Sequence, residues 1–383
     1  MATIAENIQT LRSIKSDIKN AIIQKGGVVT DAFGTYAQAI TDLPSGGGGG
    51  TEMEDALVMR TISGTYYNDR VSVVGNGAFT NCGFLASVNL PKCTFVDSNA
   101  FATCLSLTSI DLPNCSYVGD YAFYYCTSLT SVNLPKCSSV SYSAFTNCTS
   151  LTSVNLPNCT YIGGSAFFKC NSLTTINLPN CSYAGDRAFG WCSALSSVNL
   201  PLCEYIDGAF YYCTKLSSVN LPNCSYIGDY TFEGCSALSS INLPLCTSIG
   251  DYAFRYCSKL PSINLPLCTF IGNQTFIYCT ALTSVNLPKC RYVDYYAFAS
   301  CSSISMVKLP ICSIIQGRGF NNCEKLTQVY LNSVTSVTTI SSNTFLDCPN
   351  LTSVYVPSSL VDAFKTAQYW SSISNKIVAY TEA

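Results

Sequence analysis

Between Asn76 and Val356 the apolar residues follow a fixed order that repeats every 22 residues, plain in Cys126–Asn147, CTSLTSVNLPKCSSVSYSAFTN. Val132 and Leu134 stand two apart, so in a strand they share one face while Asn133 points to the other. Pro135 cannot donate to a ladder and ends that strand at the same place in each unit. The pattern therefore predicts one strand of about three residues per unit, parallel to its copies in neighbouring units. Parallel neighbours need a crossover, which the rest of the unit supplies. A second apolar edge, from Val140 through Ala144 and Phe145 to Cys148, closes the unit against the strand. One such coil buries little. Stacked coils share a continuous core and leave edges only at the ends, so the expected fold is a solenoid of about thirteen turns.

The cysteines sharpen the register. All 24 fall at two places: one closes the motif AFxxC, from Cys82 to Cys348, and the other follows LPx, from Cys93 to Cys312. A phenylalanine stands three residues before each AFxxC cysteine, from Phe79 to Phe345. In a secreted chain so many cysteines would suggest a disulfide scaffold. Equivalent positions stack with parallel Cβ vectors, however, which disfavours bridge geometry. A free thiol packs as a small apolar side chain, so the core should hold two ladders of reduced cysteines and one of stacked rings. With no CxxC pair and no histidine, zinc fits poorly, and no metal or cofactor is expected. One unit departs from the rest: CEYIDGAFYYC lacks a residue relative to CSYVGDYAFYYC, near Asp207–Gly208. A tightened loop with its core positions kept is predicted there.

The consensus LxxVxLPxCxxVxxxAFxxC is similar to the leucine-rich repeat pattern LxxLxLxxN/CxL, with Cys137 and its copies at the N/C position. The LP step and the AFxxC ending resemble BspA-like (Treponema-type) leucine-rich repeats in particular. That resemblance implies a leucine-rich repeat scaffold of the kind found in bacterial surface adhesins, and binding rather than chemistry.

The ends differ from the array, as caps should. Residues 56–75 read as an N-terminal cap of two strands around a turn at Gly64–Asp69, and residues 76–356 as the solenoid. Residues 357–383 read as a C-terminal cap: Pro357 ends the last strand, Ser358–Ala367 forms an amphipathic helix, and Lys376–Tyr380 supplies a final strand. Residues 46–55 are a Gly-rich linker, and residues 1–45 a small helical module before it. Its apolar stripe includes Ile4, Ile8, Leu11, Ile18 and Ile22, continued by Phe33 and Ile40 in a second helix. Two such helices bury too little to stand alone, so an anchoring or oligomerising role is expected. The wording IAENIQTLRSIKSDIKNAIIQKG followed by FGTYAQAI and glycines resembles N-terminal segments of tailed-bacteriophage structural and fibre proteins. The resemblance implies a virion-attachment module, with a virion structural protein or a second copy as partner.

Charge removes several functions. With 20 basic and 22 acidic residues scattered along 383, there is no electrostatic footprint for nucleic acid or anionic lipid. The first residues carry Glu6, Arg12, Lys15, Asp17 and Lys19, so neither a signal peptide nor a membrane span is expected. Without histidine there is no Ser-His-Asp or Cys-His site, and Asp120, Asp186, Asp229 and Asp251 recur singly rather than converging. Function must then lie on the surface. One candidate is the amide row Asn133, Asn155, Asn177, Asn199, Asn220 and Asn242, which reads first as a solvated ladder and second as a set of amides for glycan hydroxyls. The other is Tyr117, Tyr121, Tyr125, Tyr212, Tyr252 and Tyr256, rigid amphipathic side chains at positions that vary between turns. The reading is a non-enzymatic adhesion protein, a phage appendage assembled in the bacterial cytoplasm that contacts a host surface glycan or protein. The alternatives are a virion decoration without host ligand and a bacterial BspA-like surface adhesin.

Overall fold

A computed structural model describes residues 62–381. The helical module of residues 1–45, with Ile4, Ile8, Leu11, Ile18, Ile22, Phe33 and Ile40, lies outside the described residues, as do the linker 46–55 and residues 56–61 of the first cap. From Ile62 the chain makes about fourteen turns at a spacing near 22 residues. Each turn lays down strands in two separate rows.

The first row holds the expected three-residue strands. Ser131–Asn133 and Ser153–Asn155 pair parallel, with Val132 opposite Val154 and Asn133 opposite Asn155. The second row is made of two-residue strands such as Tyr117–Val118, Ser139–Val140 and Tyr161–Ile162. These form one continuous parallel sheet from Val73–Val74 to Ile314–Ile315. The apolar edge expected at Val140 is thus a ladder in its own right, which gives its backbone N–H and C=O groups partners in the coils above and below.

The first row is interrupted twice, between Ser153–Asn155 and Thr175–Asn177, which do not pair, and at Ser262–Asn264, which lies in no strand. Pro261 occupies the place held by Ser239 and Thr283 in the adjoining coils. Ser239 donates its N–H to Ser217 O at 3.0 Å and Thr283 to Pro261 O at 3.1 Å, but proline has none to give.

The third side of each coil is the AFxxC turn. Phe123 N–H donates to Ala144 O and Phe145 N–H to Ala166 O, each at 2.7 Å. Inside, the rings stack nearly parallel: Phe101–Phe123 at 5.1 Å, Phe123–Phe145 at 4.9 Å and Phe145–Phe167 at 5.2 Å between centroids. The stack runs from Phe79 to Phe345. All 24 cysteines are buried free thiols. Those of AFxxC donate S–H to the phenylalanine carbonyl one coil back, as Cys126 does to Phe101 O at 3.1 Å and Cys148 to Phe123 O at 3.2 Å. Those of LPxC donate to the carbonyl two residues on, as Cys137 does to Ser139 O at 3.2 Å. Cysteine therefore supplies a small apolar volume and a donor that alanine would lack.

In the shortened unit Ala209, Phe210 and Cys213 keep full burial. Gly208 takes over the left-handed position, with φ of 58°, and a Cβ there would run into the Asp186 carboxylate. The loop tightens as expected because glycine allows both the dihedral and the approach.

At the N-terminal end the expected turn at Gly64–Asp69 is corrected. Gly64–Tyr67 is itself a strand, parallel to Leu85–Asn89, and it covers the first edge of the row. At the other end a 3-10 turn at Ser358–Leu360 runs into the helix Val361–Thr366. Trp370 is buried against Phe345 and Phe364 and donates its indole N–H to Thr338 O at 2.7 Å, ending the ring stack. Strand Ile377–Ala379 then pairs with Val354–Val356.

Two outcomes follow for the core. Phe167→Ala opens the ring stack in mid-array and should cost about 3–5 kcal/mol, read from the shift of its urea unfolding midpoint. Burial pushes the thiols of Cys159, Cys203 and Cys246 up to about 11 from an ordinary 9.0. The folded state thus favours the protonated thiol. This contribution is complete below pH 9.0 and is lost as pH rises through about 11. Denaturant titrations across that window should show falling stability, and native thiols should resist iodoacetamide until the chain unfolds. Cys348, held down by its bond with Cys323, should be labelled first.

Candidate functional site

The six asparagines occupy one column of the first row, all on the same face. Three of the five successive pairs are bonded through their amides: Asn155 Nδ2 donates to Asn133 Oδ1 at 2.9 Å, Asn199 to Asn177 at 3.0 Å and Asn220 to Asn199 at 2.9 Å. Asn133 donates onward to Asp111 Oδ1 at 3.2 Å. Asn242 continues the column in register with Asn220. An amide that gives one N–H and accepts at its oxygen within the column has spent half of its capacity on its neighbours.

The six tyrosines fall in three columns of the coil, whose occupants differ from turn to turn. Tyr117 lies in the second strand row, stacked on Phe95 at 4.7 Å, and its hydroxyl accepts from Ser141 Oγ at 2.9 Å. Tyr121 and Tyr252 sit just before the Ala-Phe pair, whereas Tyr125, Tyr212 and Tyr256 sit just before the AFxxC cysteine. Both of the latter places are left-handed: φ is 56° at Tyr121 and 59° at Tyr252, and 58°, 56° and 63° at Tyr125, Tyr212 and Tyr256. Among the described residues none of the six amides hydrogen-bonds to any of the six tyrosines, so the two sets form separate surfaces.

A left-handed backbone suits glycine and asparagine and costs other residues about 1–2 kcal/mol. Several coils follow that rule, with Asn81, Asn147, Asn322 and Gly234 before the cysteine. In mid-array the two left-handed places hold Trp191, Tyr212, Tyr230, Tyr252, Tyr256 and Tyr278, beside Lys169, Arg187 and Gln274. Stacking between coils returns part of the cost. Trp191 lies on Tyr212 at 4.7 Å, Tyr230 on Tyr252 at 4.9 Å and Tyr256 on Tyr278 at 5.1 Å. Gly234 makes room, since a Cβ there would come within 3.0 Å of the Tyr212 ring. The Arg255 guanidinium lies 4.8 Å from the Tyr256 centroid and 5.4 Å from that of Tyr252. Its Nη1 stands 3.8 Å from Glu233 Oε1, and burial pushes the Glu233 carboxyl up against the opposing pull of Arg255. Trp191, Tyr230, Tyr256 and Tyr278 remain exposed. Trp191 and Arg255 were missed by sequence reasoning. Aligning the units on their cysteine would have found Trp191, as the bulkiest residue in a column where asparagine also stands.

The carboxylates have a structural use. Asp229 Oδ1 accepts the N–H of Asp251 at 2.7 Å, and Asp251 Oδ1 that of Asn273 at 2.8 Å. Among the described residues no three metal-ligating side chains come together, and no helix is long and apolar enough to cross a membrane.

Short parallel strands stacked in register, with one LxxVxLPxC segment per coil, define a leucine-rich repeat protein. The pattern of the BspA type leucine rich repeat region matches residues 60–159, 116–220, 138–261, 204–327 and 247–376, and the chain belongs to that family. Leucine-rich repeat proteins are in general non-enzymatic scaffolds that bind protein or other ligands. A leucine-rich repeat protein from Bacteroides ovatus is 24% identical, with 77% of this chain and 92% of that one covered, at a TM-score of 0.52. It shares the fold. A leucine rich cell surface protein from Faecalibacterium prausnitzii is 20% identical over 80% of this chain and 86% of its own, at 0.37. A T. pallidum leucine-rich repeat protein is 24% identical over 61% and 86%, at 0.34. None of the curated proteins matches the chain.

The two columns should answer mutation differently. Asn199→Ala removes two ladder bonds and is expected to cost about 1–2 kcal/mol. Tyr230→Asn relieves a left-handed strain while losing one stacked pair, and should leave stability within about 1 kcal/mol. Urea unfolding of both variants beside the native chain measures the contrast.

Proposed function

We propose that this chain is a non-enzymatic adhesion protein whose aromatic face, around Trp191, Tyr212, Tyr252, Tyr256 and Arg255, grips a partner on a cell surface. The observation that carries the reading is the placing of bulky rings where the backbone favours asparagine or glycine. Tryptophan, tyrosine and arginine are also the residues that dominate interface energetics. The asparagine column, partly self-bonded, serves as the frame on the first strand row. The partner class is a host surface protein or glycan, with residues 1–45 joining the array to a virion structural protein, or to a second copy. The resemblance of that segment to tailed-phage proteins supports a virion location. A second reading, a bacterial surface adhesin, is favoured by membership of the BspA type family.

The test compares the full-length protein with a Tyr212→Asn, Tyr256→Asn double variant for binding to candidate host cells by flow cytometry. The double variant should keep its unfolding midpoint and lose at least about tenfold in affinity, the effect of about 1.4 kcal/mol. Equal binding by both proteins removes the aromatic face from the function. Absence of binding by either favours a decoration role. Deleting residues 1–45 should abolish incorporation into particles if the virion reading holds, and incorporation of the deleted chain would overturn it.

A further inference from the structure

The first strand row changes character toward its C-terminal end. In register, Asn286 is followed by Lys308, then Tyr330, then Tyr355. The column of amides gives way to a cation and two rings. With Asn332 and Tyr380 these residues line a recess of about 500 Å³, inside the range of about 300–1,000 Å³ typical of small-ligand sites.

The rings are fixed in advance. Tyr330 and Tyr355 stack at 4.6 Å with 22° between their planes, and Tyr380 stands edge-on to Tyr330 at 6.2 Å. Gln328, which replaces the serine of other coils, ties the stack together: Tyr330 OH donates to its Oε1 at 3.2 Å, and its Nε2 donates to Tyr355 OH at 3.4 Å. Lys308 Nζ lies 5.7 Å from the Tyr330 centroid. The lysine is exposed, and among the described residues no carboxylate pairs with it.

We propose that this recess is a subsite for a sugar bearing one carboxylate, such as a uronic acid. The ring surfaces that line the recess give the C–H side of a pyranose an apolar contact. Asn286 and Asn332 offer amides that both donate to and accept from hydroxyls. The single ammonium of Lys308 matches the single charge of a carboxylate, whereas a doubly charged phosphate calls for a second cation or a cluster of backbone N–H groups. Little ordering remains to be done on binding, because Gln328 already holds the rings. The site lies on the first strand row, whereas the aromatic face proposed above lies on the AFxxC turns, and it does not depend on that face.

Saturation-transfer NMR titration of the full-length protein with glucuronic acid and with glucose tests this, since the two differ only in the oxidation of the terminal carbon. Glucuronic acid should bind with millimolar affinity and glucose about tenfold more weakly, the share of one charge-assisted contact. Lys308→Met, a surface change that leaves the core intact, should bring glucuronic acid down to the level of glucose. Tyr380→Ala should weaken both sugars, and the Tyr212→Asn, Tyr256→Asn variant should change neither. The proposal fails if the native protein binds neither sugar, if it binds both alike, or if Lys308→Met keeps the preference for the acid.

Discussion

Every position in this array must tolerate a copy of itself one coil away, about 5 Å distant. That follows from parallel, in-register hydrogen bonding along the rows, and it governs which side chains the protein uses. Phenylalanine stacks on phenylalanine at 4.8–5.8 Å. Asparagine bonds asparagine, and thiols sit side by side in an apolar interior. Like charges at that spacing repel. Asp207 shows the effect, its carboxyl pushed up first by burial and then by Asp229 and Asp186 in the adjoining coils. A charged fraction of only 11% is a consequence of the stacking rule rather than a sign of insolubility.

Much of the fold was legible because the rule writes the sequence. The place of Pro135 and its copies marks the end of each strand, and the single residue missing before Gly208 marks the tightened loop. The second strand row was less visible. Two residues such as Tyr117 and Val118 are too short for alternation to show, and their pairing comes from the neighbouring coils rather than from local preference. The first cap misled for the same reason. Gly64–Tyr67 looks like turn material by composition, yet the open edge at Leu85–Asn89 recruits it as a strand.

The candidate surface was half legible. Residue type alone picked out the tyrosines, but it could not say that Tyr212 and Tyr256 share a left-handed column or that Trp191 and Arg255 join them. Backbone dihedrals are set by the coil as a whole, so the strain at a given tyrosine is visible only in the folded chain. Strain of this kind persists where its surroundings over-determine it, and it gathers at places with a use. The same reasoning separates the amide column from the aromatic face. The amides at Asn133–Asn155 bond each other, while the rings are held where the backbone resists them.

The missing N–H at Pro261 bears on how the array holds together. In a one-dimensional stack each coil is stabilised chiefly by its two neighbours, so cooperativity passes from end to end through those junctions. At Ser262–Asn264 the first row drops out of the ladder, and the second row, the AFxxC turn bonds such as Phe254 N–H to Thr275 O, and the ring stack carry the coupling. That junction is a seam, and so is the one between Asn155 and Thr175, where the first row is likewise unpaired. The two seams divide the first row into three blocks of strands, so local opening can follow a block rather than the array as one unit.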